Sequence, residues 1–268
     1  MILSKQNVKS KKHTRPFLPT FFITLFALSA LGGLYFIMQG DNLISGVFPF
    51  SNWGNNQNVS SKPSQQNGYG VVVESEAVEN DYFDDAAFVG DSLTVGMKLT
   101  DYVDKDNLFG ITGVSIHAIK TQRADFNGKQ TTALKAASNM KPKKIYVMLG
   151  TNSIGYTSVS TMIEQYAEVI DLLKKSNPNA IFYIQSIPPM TKSYINSNSK
   201  FKTTHFEEFN EELEALAIAK ECYFLDTYSL FVTESGYLPR SLSTDGLHLN
   251  QDAYDIMFKY IKTHTVKN

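Results

Sequence analysis

The sequence has few cysteines, few histidines and almost no net charge, and each shortage excludes a class of protein. Its single cysteine, Cys222, cannot close an internal disulfide and excludes a zinc site built from several thiolates. No two of the five histidines have the spacing of metal ligands, so we predict no metal site. The formal net charge of -1 provides no overall positive field, so we do not expect binding to nucleic acid.

Charged residues are also missing from the stretch 17–38. An apolar helix crosses a bilayer with about 20 residues, and several lysines and Arg15 precede this stretch. Because positive flanks stay in the cytoplasm, we predict a cytoplasmic segment at 1–16, a single transmembrane helix at 17–38 and an extracellular remainder, anchored in the cell membrane. A cleaved signal peptide is the alternative, although the apolar run is longer than a signal-peptide core.

The rest of the chain divides by composition. Residues 39–80 include a stretch rich in Asn, Gln, Ser and Gly, which predicts a flexible linker. Over 81–268, short apolar runs alternate with segments of helical periodicity. This alternation predicts one α/β domain with a mainly parallel sheet and helices on both sides. The runs predicted as strands are 86–89, 107–111, 144–149, 180–185 and 223–225.

Ser92 directly follows the first of these strands, in Gly90-Asp91-Ser92-Leu93. A serine on a glycine-containing turn between a buried strand and a helix is held outward on a rigid support. The N-terminus of the helix adds free N–H groups and a positive partial charge beside it. A nucleophilic hydroxyl needs this placement. For this segment alone, a helix N-cap serine without chemical function is the alternative.

Polar residues follow the neighbouring strands as well. Gly113 comes after the second run, and Gly150-Thr151-Asn152 comes directly after the third. Because sites in parallel sheets lie at the carboxyl ends of the strands, we expect these residues to meet Ser92 at one rim. His248 precedes the last helical segment in Asp245-Gly246-Leu247-His248, a loop well placed to fold over that rim.

These residue types supply the parts of an acyl-transfer site. A serine hydroxyl needs a base, for which His248 is the candidate, and Asp245 would orient its other ring nitrogen. A tetrahedral intermediate needs N–H donors for its negative oxygen. The candidates are the backbone N–H groups of Ser92 and Gly113 and the side-chain amide of Asn152.

The segments Gly90-Asp91-Ser92-Leu93, Gly113, Gly150-Thr151-Asn152 and Asp245-Gly246-Leu247-His248 resemble, in this order, the four blocks of the SGNH hydrolases, the GDSL-type esterases and lipases. The resemblance spans about residues 84–264. It implies that Ser92 is the nucleophile, His248 the base and Asp245 its orienting acid, with Gly113 and Asn152 in the oxyanion hole. It also implies a flavodoxin-like three-layer α/β/α sandwich around a five-stranded parallel sheet, and neither a metal nor an organic cofactor.

Two assignments within this set have alternatives. Gly110 and Gly113 both lie near the end of the second predicted strand, and we prefer Gly113 because the polar turn begins there. Asp226, at the end of the fifth predicted strand, is an alternative to Asp245 as the acid. We expect Asp226 to be a structural cap, because the spacing from Asp245 to His248 already supplies the pair.

The predicted location narrows the choice of substrate. We expect a membrane-anchored serine esterase that removes O-acetyl groups from cell-surface carbohydrate, with Tyr156 and the segment 187–203 beside the substrate. The expected partners are a small-molecule or glycan ester and, through the N-terminal helix, the membrane. Alternative functions are a lysophospholipase or thioesterase, an O-acetyltransferase, and a non-catalytic glycan-binding module on a hydrolase fold.

Overall fold

The structure is a computed structural model that describes residues 34–39, 42–47 and 68–266. The chain divides into two compact units, Met1–Ser61 and Lys62–Asn268. In the first unit, strands β1 (Leu34–Gln39) and β2 (Asn42–Val47) pair antiparallel. Among the described residues, no helix combines the length and apolar character needed to cross a membrane.

Strand β1 corrects one end of the predicted transmembrane helix. Residues 17–33 of that prediction lie outside the described residues, whereas residues 34–38 belong to β1. Tyr35, Phe36 and Ile37 are aromatic or β-branched, and such residues favour extended backbone when a second strand is there to pair with it. The helix predicted for 17–38 therefore does not extend over these last residues.

The second unit contains the remaining elements. Its strands are β3 (Gly70–Val71), β4 (Ala86–Gly90), β5 (Leu108–Gly110), β6 (Arg123–Phe126), β7 (Lys129–Thr132), β8 (Lys144–Met148), β9 (Ile181–Gln185) and β10 (Tyr223–Leu225). Its α-helices are α1 (Ser92–Gly96), α2 (Ala133–Asn139), α3 (Val159–Ser176), α4 (Lys192–Ser197), α5 (Thr203–Ala219) and α6 (Gln251–Thr263). Short 3-10 helices lie at Asn80–Phe83, Met97–Leu99, Lys105–Asn107, Ala118–Lys120 and Arg240–Leu242.

Six of these strands form one sheet in the order β3-β10-β9-β8-β4-β5, and every neighbouring pair is parallel. The predicted α/β fold with a parallel sheet is confirmed. The predicted number of five strands is wrong, because β3 adds a sixth at the edge beside β10. Strands β6 and β7 form a separate antiparallel hairpin.

Strand β3 also corrects the predicted linker at 39–80, which includes β2 as well. The backbone N–H of Val72 donates to the carbonyl of Phe224 at 3.0 Å. Farther along, the N–H groups of Ser75 and Val78 donate to carbonyls at the end of α6. This segment joins the domain through its backbone and through Val72, which is buried in the core, so the polar composition of the residues before it does not extend to it.

One face of the sheet carries a row of aromatic rings. Phe88 in β4, Tyr146 in β8 and Tyr183 in β9 occupy paired positions, and their rings stack with centroids 4.5 Å apart in both pairs. Tyr223 in β10 continues the row at 5.7 Å, and Phe258 of α6 packs against Phe88. These cross-strand contacts stabilise the register of the central strands, and the register sets where each strand ends.

The central strands end side by side. Gly90, the last residue of β4, pairs with Gly110 of β5 and Met148 of β8. A Cβ atom at Gly90 would lie 2.2 Å from the Met148 carbonyl oxygen and 2.1 Å from the Thr94 hydroxyl. Only glycine therefore allows α1 to turn this closely over β8. The segments after β4, β5 and β8 consequently leave the sheet from one rim.

Candidate active site

Ser92 is the first residue of α1, and Asp91 fixes the turn that leads into the helix. Asp91 is the N-cap, since its Oδ1 accepts the backbone N–H of Leu93 at 3.0 Å. The alternative interpretation of Ser92 as the N-cap is therefore wrong. The cap is the preceding residue, which leaves the Ser92 hydroxyl for another partner.

His248 is that partner, although 156 positions separate the two residues in sequence. Its Nε2 lies 3.0 Å from Ser92 Oγ, and its Nδ1 lies 2.7 Å from Asp245 Oδ2. In the tautomer with the proton on Nδ1, that N–H donates to Asp245 and Nε2 accepts the serine hydroxyl. The structure thus brings Ser92, His248 and Asp245 into one hydrogen-bonded chain.

Asp245 is held in its ionised form by the turn that contains it. Its Oδ1 accepts the backbone N–H groups of Leu247 at 2.9 Å and His248 at 2.8 Å. Partial burial raises the pKa of Asp245, but hydrogen bonds from the side chain and backbone of His248 and from Leu247 outweigh it and lower the pKa to about 2. An anion here keeps the proton on Nδ1 and favours the imidazolium formed when Nε2 takes a second proton.

Asp91, the carboxylate next to Ser92, has the opposite environment. It is fully buried, and burial raises its pKa to about 6, although the backbone N–H groups of Leu93, Gly150 and Thr151 act against this effect. Among the residues that the structure describes, its Oδ2 has no hydrogen-bond partner. Asp91 therefore fixes the turn before α1 through Leu93, and it lies outside the hydrogen-bonded chain from Ser92 to Asp245.

Asn152 lies on the turn after β8, against the segment that follows β5. Its Nδ2 donates to the carbonyl of Val114 at 3.2 Å, and the neighbouring Ser153 hydroxyl accepts the N–H of Ile116 at 3.1 Å. These bonds place the Asn152 amide beside Gly113. An amide nitrogen has two hydrogens, so one N–H remains for a substrate oxygen.

The two candidate glycines differ in their surroundings. Gly113 has a φ of +75°, and a Cβ atom there would meet nothing within 4 Å. A Cβ atom at Gly110 would lie 2.8 Å from the backbone nitrogen of Val95. Gly110 therefore serves the close packing of α1 on β5, whereas Gly113 leaves an open, unshielded backbone beside Asn152. The geometry favours Gly113 as the glycine of the site.

Asp226 lies at the end of β10 and stabilises its own turn. It accepts the backbone N–H of Ser229 at 3.1 Å and contacts the Ser186 hydroxyl at 3.4 Å. The ring nitrogen of His248 that needs an acid is already occupied by Asp245. Among the residues that the structure describes, no cluster of three or more His, Cys, Asp or Glu could hold a metal ion.

Tyr156 lies four residues after Asn152, and 60% of its surface is exposed. Its ring packs edge-on against Phe201, and the Lys200 ammonium lies 4.3 Å from the ring centre. Tyr156 borders a pocket of about 470 Å³ that His205 and Glu208 also line. The substrate contact of Tyr156 stays a prediction, and a pocket lies beside this residue.

Sequence reasoning missed two contacts that hold the site together. The buried hydroxyl of Tyr254 donates to the Leu93 carbonyl at 2.7 Å, and the N–H of Thr191 donates to the Gly246 carbonyl at 2.9 Å. The glycine at position 96 is the one sequence feature related to the Tyr254 contact, since the structure shows that a Cβ atom there would lie 2.1 Å from the Tyr254 hydroxyl. The second is a backbone contact and had no side-chain signal.

Residues 88–256, more than half of the chain, match the model of the GDSL-like lipase/acylhydrolase family. No curated protein matches the chain. A Streptococcus pneumonia protein described as a platelet activating factor is 22% identical over 69% of this chain and 83% of its own, with a TM-score of 0.53. A Bacteroides fragilis protein described as an acylhydrolase is 19% identical over 66% of this chain and 83% of its own, with a TM-score of 0.51. A GDSL-like lipase from Bacteroides thetaiotaomicron is 20% identical over 66% and 85%, also with a TM-score of 0.51. At these identities, the similarity to solved structures shows a shared fold.

Proposed function

Since the chain belongs to the GDSL-like lipase/acylhydrolase family and is an ester-hydrolysing enzyme, we propose that it removes O-acetyl groups from cell-surface carbohydrate through an acyl-serine intermediate. The proposal rests above all on the hydrogen-bonded chain from Ser92 through His248 to Asp245. Such a chain activates an otherwise weak hydroxyl nucleophile.

In the proposed reaction, Ser92 Oγ attacks the ester carbonyl carbon while Nε2 of His248 takes the hydroxyl proton. The N–H groups of Ser92, Gly113 and Asn152 stabilise the negative oxygen of the tetrahedral intermediate. His248 then gives its proton to the leaving sugar hydroxyl, and the acetyl group remains on Ser92. A water molecule then gives a proton to Nε2 and attacks the acyl-serine, and the imidazole returns this proton to Ser92 Oγ as acetate leaves.

The composition around Tyr156 and of the segment 187–203 supports a sugar acetate rather than a long-chain ester as the substrate. An exposed aromatic ring offers a sugar ring an apolar surface. Tyr156 is 60% exposed, with Lys200 over one face of its ring, and it borders a pocket with the polar side chains of His205 and Glu208. The segment 187–203 contains several Ser and Asn residues and does not have the composition of a long apolar lid. Tyr156 is therefore the proposed contact for the carbohydrate part of the substrate.

The cellular location is part of the same proposal. The uncharged residues 17–33, which follow a basic segment and precede β1, support a single-pass anchor with a cytoplasmic N-terminus and an extracellular enzyme domain. Carbohydrate of the cell surface would then be within reach of the site. Protease treatment of intact cells should remove the enzyme domain; its survival under conditions that digest a known surface protein would contradict this location.

The function is tested by comparing esters of different kinds. The full-length chain is assayed on a short-chain aryl acetate, a long-chain aryl ester and an acetylated glycan, with Ser92→Ala as the inactive control. We expect turnover of the aryl acetate and release of acetate from the glycan.

Each other outcome identifies an alternative. Preference for the long acyl chain would contradict deacetylation and favour a lysophospholipase or thioesterase. Transfer of acetyl groups onto glycan in place of acetate release would favour an O-acetyltransferase. Binding of glycan without turnover of any ester would favour a binding module.

A further inference from the structure

The turn that contains the base, residues 244–248, is closed by its own hydrogen bonds. The N–H of Thr244 donates to the carbonyl of His248 at 3.0 Å, and Asp245 accepts the backbone N–H groups of Leu247 and His248. These bonds fix Asp245 relative to the imidazole. They do not fix the turn relative to Ser92, which belongs to a different loop.

Ser243 directly precedes this turn and is only 5% exposed. Its Oγ donates to the carbonyl of His248 at 2.7 Å and accepts the N–H of Gly246 at 2.8 Å. One hydroxyl therefore bonds to the backbone of the base and to the glycine between base and acid. Thr244 offers a natural comparison, since its exposed hydroxyl lies 3.4 Å from the same carbonyl.

Gly246 also attaches this turn to the segment that leads into α4. Its carbonyl accepts the N–H of Thr191 at 2.9 Å. Its φ is +102°, and a Cβ atom there would lie 2.7 Å from the Thr191 hydroxyl oxygen. The turn thus contacts the segment that leads into α4 through the carbonyl of Gly246, while Ser243 holds the N–H of the same glycine.

We propose that Ser243 is a positioning residue, whose hydroxyl sets the backbone of His248 so that Nε2 stays within hydrogen-bond reach of Ser92 Oγ. The inference rests on the proposed function, because it assigns His248 as the base. Without the hydroxyl, the buried N–H of Gly246 loses its partner and the turn can shift. A misplacement of about 1 Å between reacting groups lowers turnover on the order of 10²-fold.

The test measures aryl acetate turnover by the full-length chain and three variants. We expect Ser243→Ala to lower kcat by about 10- to 100-fold with KM unchanged, and to slow fluorophosphonate labelling of Ser92 by the same factor. Ser243→Thr keeps the hydroxyl and should restore kcat. The matched control, Thr244→Ala, removes the more distant hydroxyl and should keep wild-type values. If the wild-type chain is active and Ser243→Ala has the same kcat, this inference is refuted and the proposed function is not.

A second comparison separates positioning from a general structural role. In the background of His248→Ala, adding Ser243→Ala should not lower the residual labelling rate, because Ser243 acts through the imidazole. A further fall in that background would overturn the inference. If Ser243→Ala does not fold, Ser243→Cys replaces it, and a wild-type kcat in that variant would refute the role. A wild-type chain inactive on every ester would refute the proposed function itself, and the inference with it.

Discussion

Replacing Asp91 by asparagine should change how stability depends on pH. Burial raises the pKa of this carboxyl from 3.8 to about 6, so its ionisation is less favourable in the folded state than in the unfolded state. A carboxyl with a raised folded pKa contributes stability that is full below pH 3.8 and is lost as the pH rises through 6. The difference between a pKa of 3.8 and one of about 6 corresponds to about 3 kcal/mol, of which about 2 kcal/mol is lost between about pH 4.5 and 7.5.

The assay is urea unfolding of the compact unit Lys62–Asn268 at those two pH values. Asp91→Asn keeps an oxygen for the N–H of Leu93 but does not titrate. The stability of the wild type relative to the variant should therefore fall by about 2 kcal/mol from the lower to the higher pH. Asp101→Asn makes the same change from carboxyl to amide at an exposed position and is the matched control. The reasoning would be refuted if the difference in unfolding free energy between wild type and Asp91→Asn did not depend on pH. It would also be refuted if the wild type gained stability relative to the variant at the higher pH.

Three further predictions concern activity. Asp245→Asn should lower kcat on aryl acetate by about 10³- to 10⁴-fold, because an amide cannot stabilise the imidazolium as the anion does; a loss below tenfold would contradict this role. Asn152→Ala should lower kcat by about 10²- to 10³-fold with little change in KM, since its N–H acts on the intermediate; an effect confined to KM would count against it. Tyr156→Ala should raise KM for acetylated oligosaccharide by about tenfold and leave aryl acetate turnover unchanged, with Tyr156→Phe near wild type; equal effects on both substrates would exclude a sugar contact.

The parts of the fold that sequence could predict are those with a side-chain pattern. Strand β10 has the predicted bounds, and β4, β8 and β9 differ from prediction by a single residue at one end, because continuous apolar runs mark strands buried on both faces. Strand β3 escaped because it contains two residues and joins the sheet through backbone bonds. Backbone pairing of this kind is independent of side-chain chemistry.

The site divides in the same way. The order of the strands places the turns after β4, β5 and β8 at one rim, so the proximity of Ser92 and Asn152 followed from topology. The loop before the last helix was expected to bring His248 to the same rim, and the order of the four blocks in the resemblance supported this expectation. The 3.0 Å contact with a residue 156 positions away is a result of tertiary packing. The contact of Thr191 with Gly246 depends on how two loops pack, and loop packing has no periodic signal.

The central claim is that the Ser92 hydroxyl is a nucleophile activated by His248. Mass-spectrometric mapping of the site labelled by a fluorophosphonate at neutral pH tests it most directly. We predict one adduct, on Ser92, that is absent from Ser92→Ala and forms far more slowly in His248→Ala. An adduct on a different residue, or a wild-type labelling rate in His248→Ala, would contradict the claim.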